Sequence, residues 1–388
     1  MNKSIFTALC LLAVTVLPAN SAEQLKIGFI STLSGPSAAL GIDIRDGFNL
    51  ALKHAGGKLG GVATEVLIAD DQMNPDTGKQ LADRMLKKDK VQIVTGIVFS
   101  NVLMAAVQPI LKAETFYVSP NASPSVLAGA QCSAYFFSVS WPNEAQHEAM
   151  GKHVSDKKYK NVYLLAPNYP AGKDALTGFK RFYKGELSGE VYTKLGQLDY
   201  AAELAQMRAT KPDAVYIFLP GGMGINFIKQ FNQAGLSKDT PLFGPGFSAD
   251  EDIIRAVGEP MLGMFNSSQW GHDFENPQNK KFVADFQKEF ARMPTVFASQ
   301  GYDAAMFIDA AVRDSKGKIE DKAELRKALE AANFKSVRGN FKLNKNHFPI
   351  QAYYLREVVK DASGKLTNKT LGTILNDHDD PYAANCTM

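Results

Sequence analysis

Charge blocks, membrane-length apolar runs and a stock of cysteine, histidine or tryptophan are all missing from this chain of 388 residues. Three cysteines are too few for a disulfide-dense scaffold or a cysteine-rich zinc module. Six histidines are scattered, and His147 and His153, six apart, do not share a helix face, so no metal site is expected. His272 and His347 stand alone and read first as polar surface or core partners. Lys and Arg (43) nearly balance Asp and Glu (40), and the signs are interspersed, which leaves no basic stripe for nucleic acid and no polybasic membrane patch. Catalytic signatures are missing too. Gly246-Phe247-Ser248-Ala249-Asp250 lacks the last glycine of a nucleophile elbow, there is no P-loop, and Gly221-Gly222-Met223-Gly224 is not a dinucleotide fingerprint. Neither an enzyme nor a cofactor is expected.

The one long apolar run is amino-terminal. Lys3 precedes a stretch from Ile5 to Leu17, and Pro18-Ala19-Asn20-Ser21-Ala22 ends in small residues. The run is shorter than the roughly 20 residues that span a bilayer, and the pattern is that of a cleavable export signal over residues 1–22. Cys10 lacks the preceding small residue of a lipoprotein site, so the mature chain is expected to start near Glu23 and to be periplasmic. Two cysteines would remain, Cys132 and Cys386. In an oxidising compartment they read either as a disulfide that docks the carboxyl terminus or as two free thiols.

Behind the leader, short apolar strands alternate with amphipathic helices. Leu25–Ile30, Thr64–Ala69, Val91–Thr95 and Thr115–Val118 read as strands, with helices from about Leu40 to Ala55, after Pro75 and after Asn101. The series restarts after Trp141-Pro142-Asn143. Helices are expected near Glu144–Ser155, Gly172–Tyr183 and Ala201–Thr210, and strands at Val162–Leu165, Val191–Leu195, Ala214–Leu219 and Leu242-Phe243. Two such arrays without a Gly/Ser linker predict an α/β fold of two Rossmann-like lobes with parallel sheets, able to close like a hinge.

Ligands of open parallel sheets bind beyond the strand carboxyl ends. The loops there, Ser31–Gly41, Gly96–Asn101 and Ser119–Ser125, are rich in hydroxyls, amides and free N–H donors opening helices, which suits an anion such as a carboxylate. Ser100, Asn101, Asn121, Ala122 and Ser123 are therefore candidate ligand residues, although Ser100, Asn101 and Ser123 could each simply cap a helix.

In order and spacing, Leu33-Ser34-Gly35-Pro36, Asp70-Asp71 with Asn74-Pro75, Thr95-Gly96 leading to Ser100, Ser119–Ser123, Ala171–Asp174 and Gly301–Ala304 are motifs of one family. From about Lys26 to Val358 the chain resembles the solute-binding proteins of ABC importers, in the leucine/isoleucine/valine-binding, type I periplasmic binding protein family. The resemblance implies two lobes joined by three crossover segments, no catalysis, and delivery of cargo to a membrane permease. It places the ligand carboxylate on the loops of Ser100 and of Ala122 and Ser123. The family's amino-acid binders pair the α-ammonium with an acid just after the strand matching Leu242–Pro245, where this chain has Gly246-Phe247. A buried ammonium without a counter-charge costs several kcal/mol.

The family's aromatic residue on the loop of the first helix is Leu40 here, and Asn168-Tyr169, Gly246–Asp250 and Ser268-Gln269-Trp270 resemble the branch that binds aromatic acids. The expected ligand is thus a small carboxylate, an aromatic acid of benzoate or phenylpropenoate type, held also by Tyr169, Gly246, Phe247, Trp270 and His272. Phe247 and Trp270 could instead be lobe core, Trp141 reads as hinge packing, and Gln300 and Tyr302 near the second crossover fit either role. Asp250 reads as a helix start, and were it to face the cleft, a branched-chain amino acid or amide would fit. A ligand-presenting sensor module is a further alternative. The lobes are expected at 23–142 plus 273–348 and at 143–272 plus 349–375, with 376–388 returning to the hinge or first lobe and the protein acting as a monomer. Closure of the second lobe over a carboxylate already held by the first would be what the permease recognises.

Overall fold

The computed structural model describes residues 24–388; the export signal expected over 1–22 lies outside the described residues. The first array runs β1 (Leu25–Ser31), α1 (Ala38–His54), β2 (Lys58–Leu59), β3 (Val62–Asp70), α2 (Pro75–Arg84), β4 (Ile93–Thr95), α3 (Ser100–Lys112), β5 (Phe116–Ser119), α4 (Ser125–Ala128) and β6 (Phe136–Ser138). These strands form one sheet in the order β2-β3-β1-β4-β5-β6, parallel from β3 to β6. Helix starts follow local chemistry. Asn74 accepts hydrogen bonds from the Asp76 and Thr77 N–H groups ahead of a first-turn proline, so α2 begins where the sequence expects it.

The second array follows from Asn143: α5 (Ala145–Asp156), β7 (Asn161–Pro167), α6 (Pro170–Phe182), β8 (Glu186–Thr193), α7 (Ala201–Thr210), β9 (Ala214–Ile217), α8 (Gly222–Gln233), β10 (Leu242–Pro245), α9 (Glu251–Val257) and β11 (Phe265–Ser268). Strands β8-β7-β9-β10-β11 are parallel neighbours. The chain then returns through α10 (Pro277–Phe290), α11 (Val296–Asp314) and α12 (Lys322–Ala331), of which α11 packs along α1. Glycine permits that approach. A Cβ at Gly47 would stand 1.9 Å from the Ala298 carbonyl oxygen, and one at Gly301 2.0 Å from that of Ile44.

The carboxyl-terminal segment departs from the all-parallel expectation. Strands β12 (Lys342–Leu343), β13 (Pro349–Lys360) and β14 (Leu366–His378) add an antiparallel edge to the second sheet, with β13 paired to both β11 and β14. The β13–β14 turn is closed by Asp361, whose carboxylate accepts from the Ser363 and Lys365 N–H groups, and by Gly364 at φ 82°. β12 lies in a segment expected in the first lobe, yet it pairs with the second sheet. β14 likewise runs past 375, with His378 opposite Gln351.

Beyond β14 the tail packs down. The Tyr382 hydroxyl donates to Glu144 Oε1 at 2.7 Å, Arg181 ion-pairs with Glu144 and Glu148, and Cys386 is joined to Cys132 with Cα atoms 5.6 Å apart. The bridge closes a sequence separation of 254 residues. A loop that long removes much freedom from the unfolded chain, so Cys386→Ser is expected to cost about 2–5 kcal/mol. Urea unfolding with and without reductant measures this: reductant should lower the wild-type midpoint and leave that of the variant unchanged.

Candidate functional site

Both sheets have a topological switch point, between β1 and β4 in the first and between β7 and β9 in the second, where neighbouring connections leave in opposite directions. The loops after these strands meet around a small cavity. From the first lobe come Leu40, Val98, Phe99, Ser100, Asn121 and Ala122; Trp141 and Asn143 lie in the crossover after β6. From the other side come His147, Tyr169, Ala171, Phe218, Pro220 and Phe247, and Phe297 of α11 closes the ring.

The walls are aromatic. Trp141 and Phe247 have ring centroids 5.1 Å apart, Phe218 meets Phe247 edge-on at 5.3 Å, and Tyr169 stacks on Phe218 at 6.1 Å. Phe99 and Phe297 extend the series, 6.1 Å from Tyr169 and 6.4 Å from Phe247. Such a box offers ring edges and faces to a flat apolar body.

One end of the cavity is polar without being charged. Helix α3 begins at Ser100 with no side-chain cap, and its first N–H groups have no acceptor among the described residues. The Ser100 hydroxyl accepts from Asn143 Nδ2 at 3.2 Å, which leaves its own proton free to donate. Asn143 is fixed in turn: its Oδ1 accepts from the Ser123 N–H at 3.0 Å and its Nδ2 donates to Asp174 at 2.9 Å. Asn121 Nδ2 donates to the Val98 carbonyl at 2.5 Å. Helix-terminal N–H groups and a free hydroxyl proton suit a carboxylate.

Charged groups are held outside. No Asp, Glu, Lys or Arg lines the cavity. Asp250, the residue that could have restored an amino-acid site, is fully buried elsewhere: its Oδ2 accepts from the Val296 N–H opening α11, and its Oδ1 lies 3.5 Å from Arg356. Burial pushes its carboxyl up to about 6 although Arg356 pulls the other way. The one imidazole in the wall, His147, binds the Tyr216 hydroxyl through Nδ1, and burial pushes it down to about 3, so it is neutral.

Of the residues singled out in the sequence, Ser100, Asn121, Ala122, Tyr169 and Phe247 line this cavity. Asn101, Ser123, Gly246, Trp270 and His272 do not. The Ser123 hydroxyl is occupied by Ser138 and Ser140, and the residue acts on the site only through its N–H to Asn143. The Gly246 N–H donates to Gln146, and a Cβ there would sit 2.9 Å from Arg356 Nη2. Trp270 turns into the core, its Nε1 donating to Asn279 at 2.7 Å and its ring edge-on to Phe282. His272 bonds Thr367 and stands 3.5 Å from Glu251, which is the main influence opposing its burial. Trp141, read as hinge packing, is a wall of the cavity. Gln300 and Tyr302 are outside it, Tyr302 bonding His54. Asn143, His147, Phe218 and Phe297 were missed. Asn143 lies two residues before α5 and His147 in its first turn, and nothing in the sequence tells which way either side chain turns.

The neutral histidine has a pH signature. The unfolded chain takes up a proton as pH falls through about 6.5, which the folded protein refuses until about 3, so His147 withdraws stability across that window. Chemical denaturation at pH 7 and pH 5 should show His147→Phe losing about 2 kcal/mol less than the wild type between them. Equal losses would show that the imidazole is protonated in the fold.

Three comparisons with known proteins bear on this geometry. The model of the family described as periplasmic binding protein matches residues 24–365. Leu/Ile/Val-binding protein homolog 6 of Brucella melitensis is 30% identical over 377 residues, covering 94% of this chain and 96% of its own. Among solved structures, an ABC-transporter solute-binding protein of R. palustris in complex with benzoate is 32% identical with a TM-score of 0.89, covering 94% of this chain and 100% of its own. Another, from Rhodopseudomonas palustris BisB5 in complex with 3,4-dihydroxybenzoic acid, is 29% identical with a TM-score of 0.85, covering 92% and 99%.

Proposed function

The chain belongs to the periplasmic binding protein family, and we propose that its ligand is a small aromatic carboxylate of the benzoate class, taken up by lobe closure and handed to the permease of an ABC importer. Its class is that of the solute-binding proteins of ABC transporters, and its relatives are binders rather than enzymes. The observation that carries the ligand assignment is a cavity with an aromatic wall, an uncharged donor end and no acid anywhere in its lining. A carboxylate would take the Ser100 hydroxyl proton and the free N–H groups of α3, while the ring lies against Tyr169, Phe218, Phe247 and Trp141. An α-ammonium would find no counter-charge, a cost of several kcal/mol. The neighbours in complex with benzoate and 3,4-dihydroxybenzoic acid support the same reading.

The Brucella relative's name favours a second reading, a branched-chain amino acid. Calorimetric titration of ligand-free protein with benzoate, coumarate, leucine and valine decides between them. Heat for benzoate and none for leucine or valine is expected, and the reverse would overturn the assignment. Ser100→Ala removes a donor to a charged group and should weaken benzoate binding by about 1.5–3 kcal/mol, roughly tenfold or more, with little change in melting temperature.

A further inference from the structure

We propose that His147, held by Tyr216, reads the ring substituent opposite the carboxylate and selects ligands that carry an oxygen acceptor there. The inference rests on the benzoate-class reading above and deepens it.

Placement comes first. Asn143, two residues before α5, binds the Ser100 hydroxyl at the donor end of the cavity. His147, four residues later and inside α5, lines the same cavity from the side of the second lobe, packed on Phe218 and Phe247. The imidazole is buried and locked. Phe218 meets it edge-on at 5.0 Å, Phe247 tilts against it at 5.7 Å, and its Nδ1 bonds the Tyr216 hydroxyl. The other nitrogen, Nε2, has no partner among the described residues.

The tautomer follows from Tyr216. Its hydroxyl is buried, and Nδ1 is its sole hydrogen-bond partner among the described residues. Were Nδ1 to carry the proton, the phenol would accept and its own proton would be stranded. The satisfied arrangement has the phenol donating to Nδ1, which puts the ring proton on Nε2. Nε2–H is then a donor in the cavity wall beside Phe218 and Phe247. A ligand hydroxyl oxygen satisfies it; a methyl group of similar size leaves it unpaired. Sites built this way discriminate more strongly than apolar pockets do. Tyr216 does not line the cavity and is a positioning residue that sets which nitrogen carries the proton.

The test is titration of the wild type, His147→Phe and Tyr216→Phe with benzoate, 4-methylbenzoate and 4-hydroxybenzoate. The wild type should bind 4-hydroxybenzoate at least about tenfold more tightly than 4-methylbenzoate. In His147→Phe the ratio should fall to within about threefold of one, and in Tyr216→Phe it should lie between. Nitrogen-15 spectra of ring-labelled wild-type protein supply a reading that needs no variant to fold. They should show the proton on Nε2, with that resonance moving for 4-hydroxybenzoate and not for 4-methylbenzoate. A wild-type ratio near one, an unchanged ratio in His147→Phe, or a proton on Nδ1 overturns the inference while leaving the benzoate-class reading intact. No binding of any of the three acids overturns both.

Discussion

Asn143 is the polar junction on which both halves of the cavity depend. Its one amide group reaches Ser100 and Ser123 of the first lobe and Asp174 on α6 of the second, and Asp174 also accepts from the hydroxyl and N–H of Ser125. Every polar atom of that side chain is engaged, so this geometry of the crossover after β6 leaves none of them unpaired. The direction of Ser100's free proton, the position of Trp141 two residues earlier and that of His147 four residues later all follow from it. A buried amide satisfied on three sides is costly to disturb, which is why a single side chain can hold two lobes in register.

The second constraint is the exclusion of charge. Several buried ionisable groups are matched away from the cavity lining. Asp250 meets Arg356 and the start of α11, Asp43 meets Arg292 and Thr295, and Asp303 meets Arg338. Asp252, wedged near Asp43 and Asp250, is pushed up to about 8 by burial and by those two neighbours, so it sits protonated in the fold. The effect is a small neutral chamber in which dipoles, not ions, do the recognising. Dipoles fixed by the fold need no reorganisation when an anion arrives, and in a dry site they act at low dielectric.

Much of this architecture was legible in the sequence because period and punctuation are local. The alternation of short apolar strands with capped helices gave both lobes in order, and the loops of Ser100 and Ala122 fell at strand ends where the first half of the cavity lies. The second half was harder to read. Position at a strand end does not tell which way a side chain turns: Trp270 follows β11 much as Phe247 follows β10, yet Phe247 enters the cavity and Trp270 drops to Asn279. His147 read in the sequence only as a poor metal partner for His153, because the value of its position arises from Tyr216, which is near it only in three dimensions. The antiparallel β13–β14 edge escaped because its turn, Asp361–Lys365, is a polar cluster that announces a bend without announcing a partner strand.

The bond between Cys132 and Cys386 makes a covalent ring of everything between them, and that ring contains the whole second lobe and the returns through all three crossovers. A single backbone cut at any loop between those residues therefore opens the ring but releases no fragment. Both pieces stay attached to one another, and the cleaved protein keeps its mass until the sulfurs are reduced. For a member of the periplasmic binding protein family, being nicked and being lost are thus separate events.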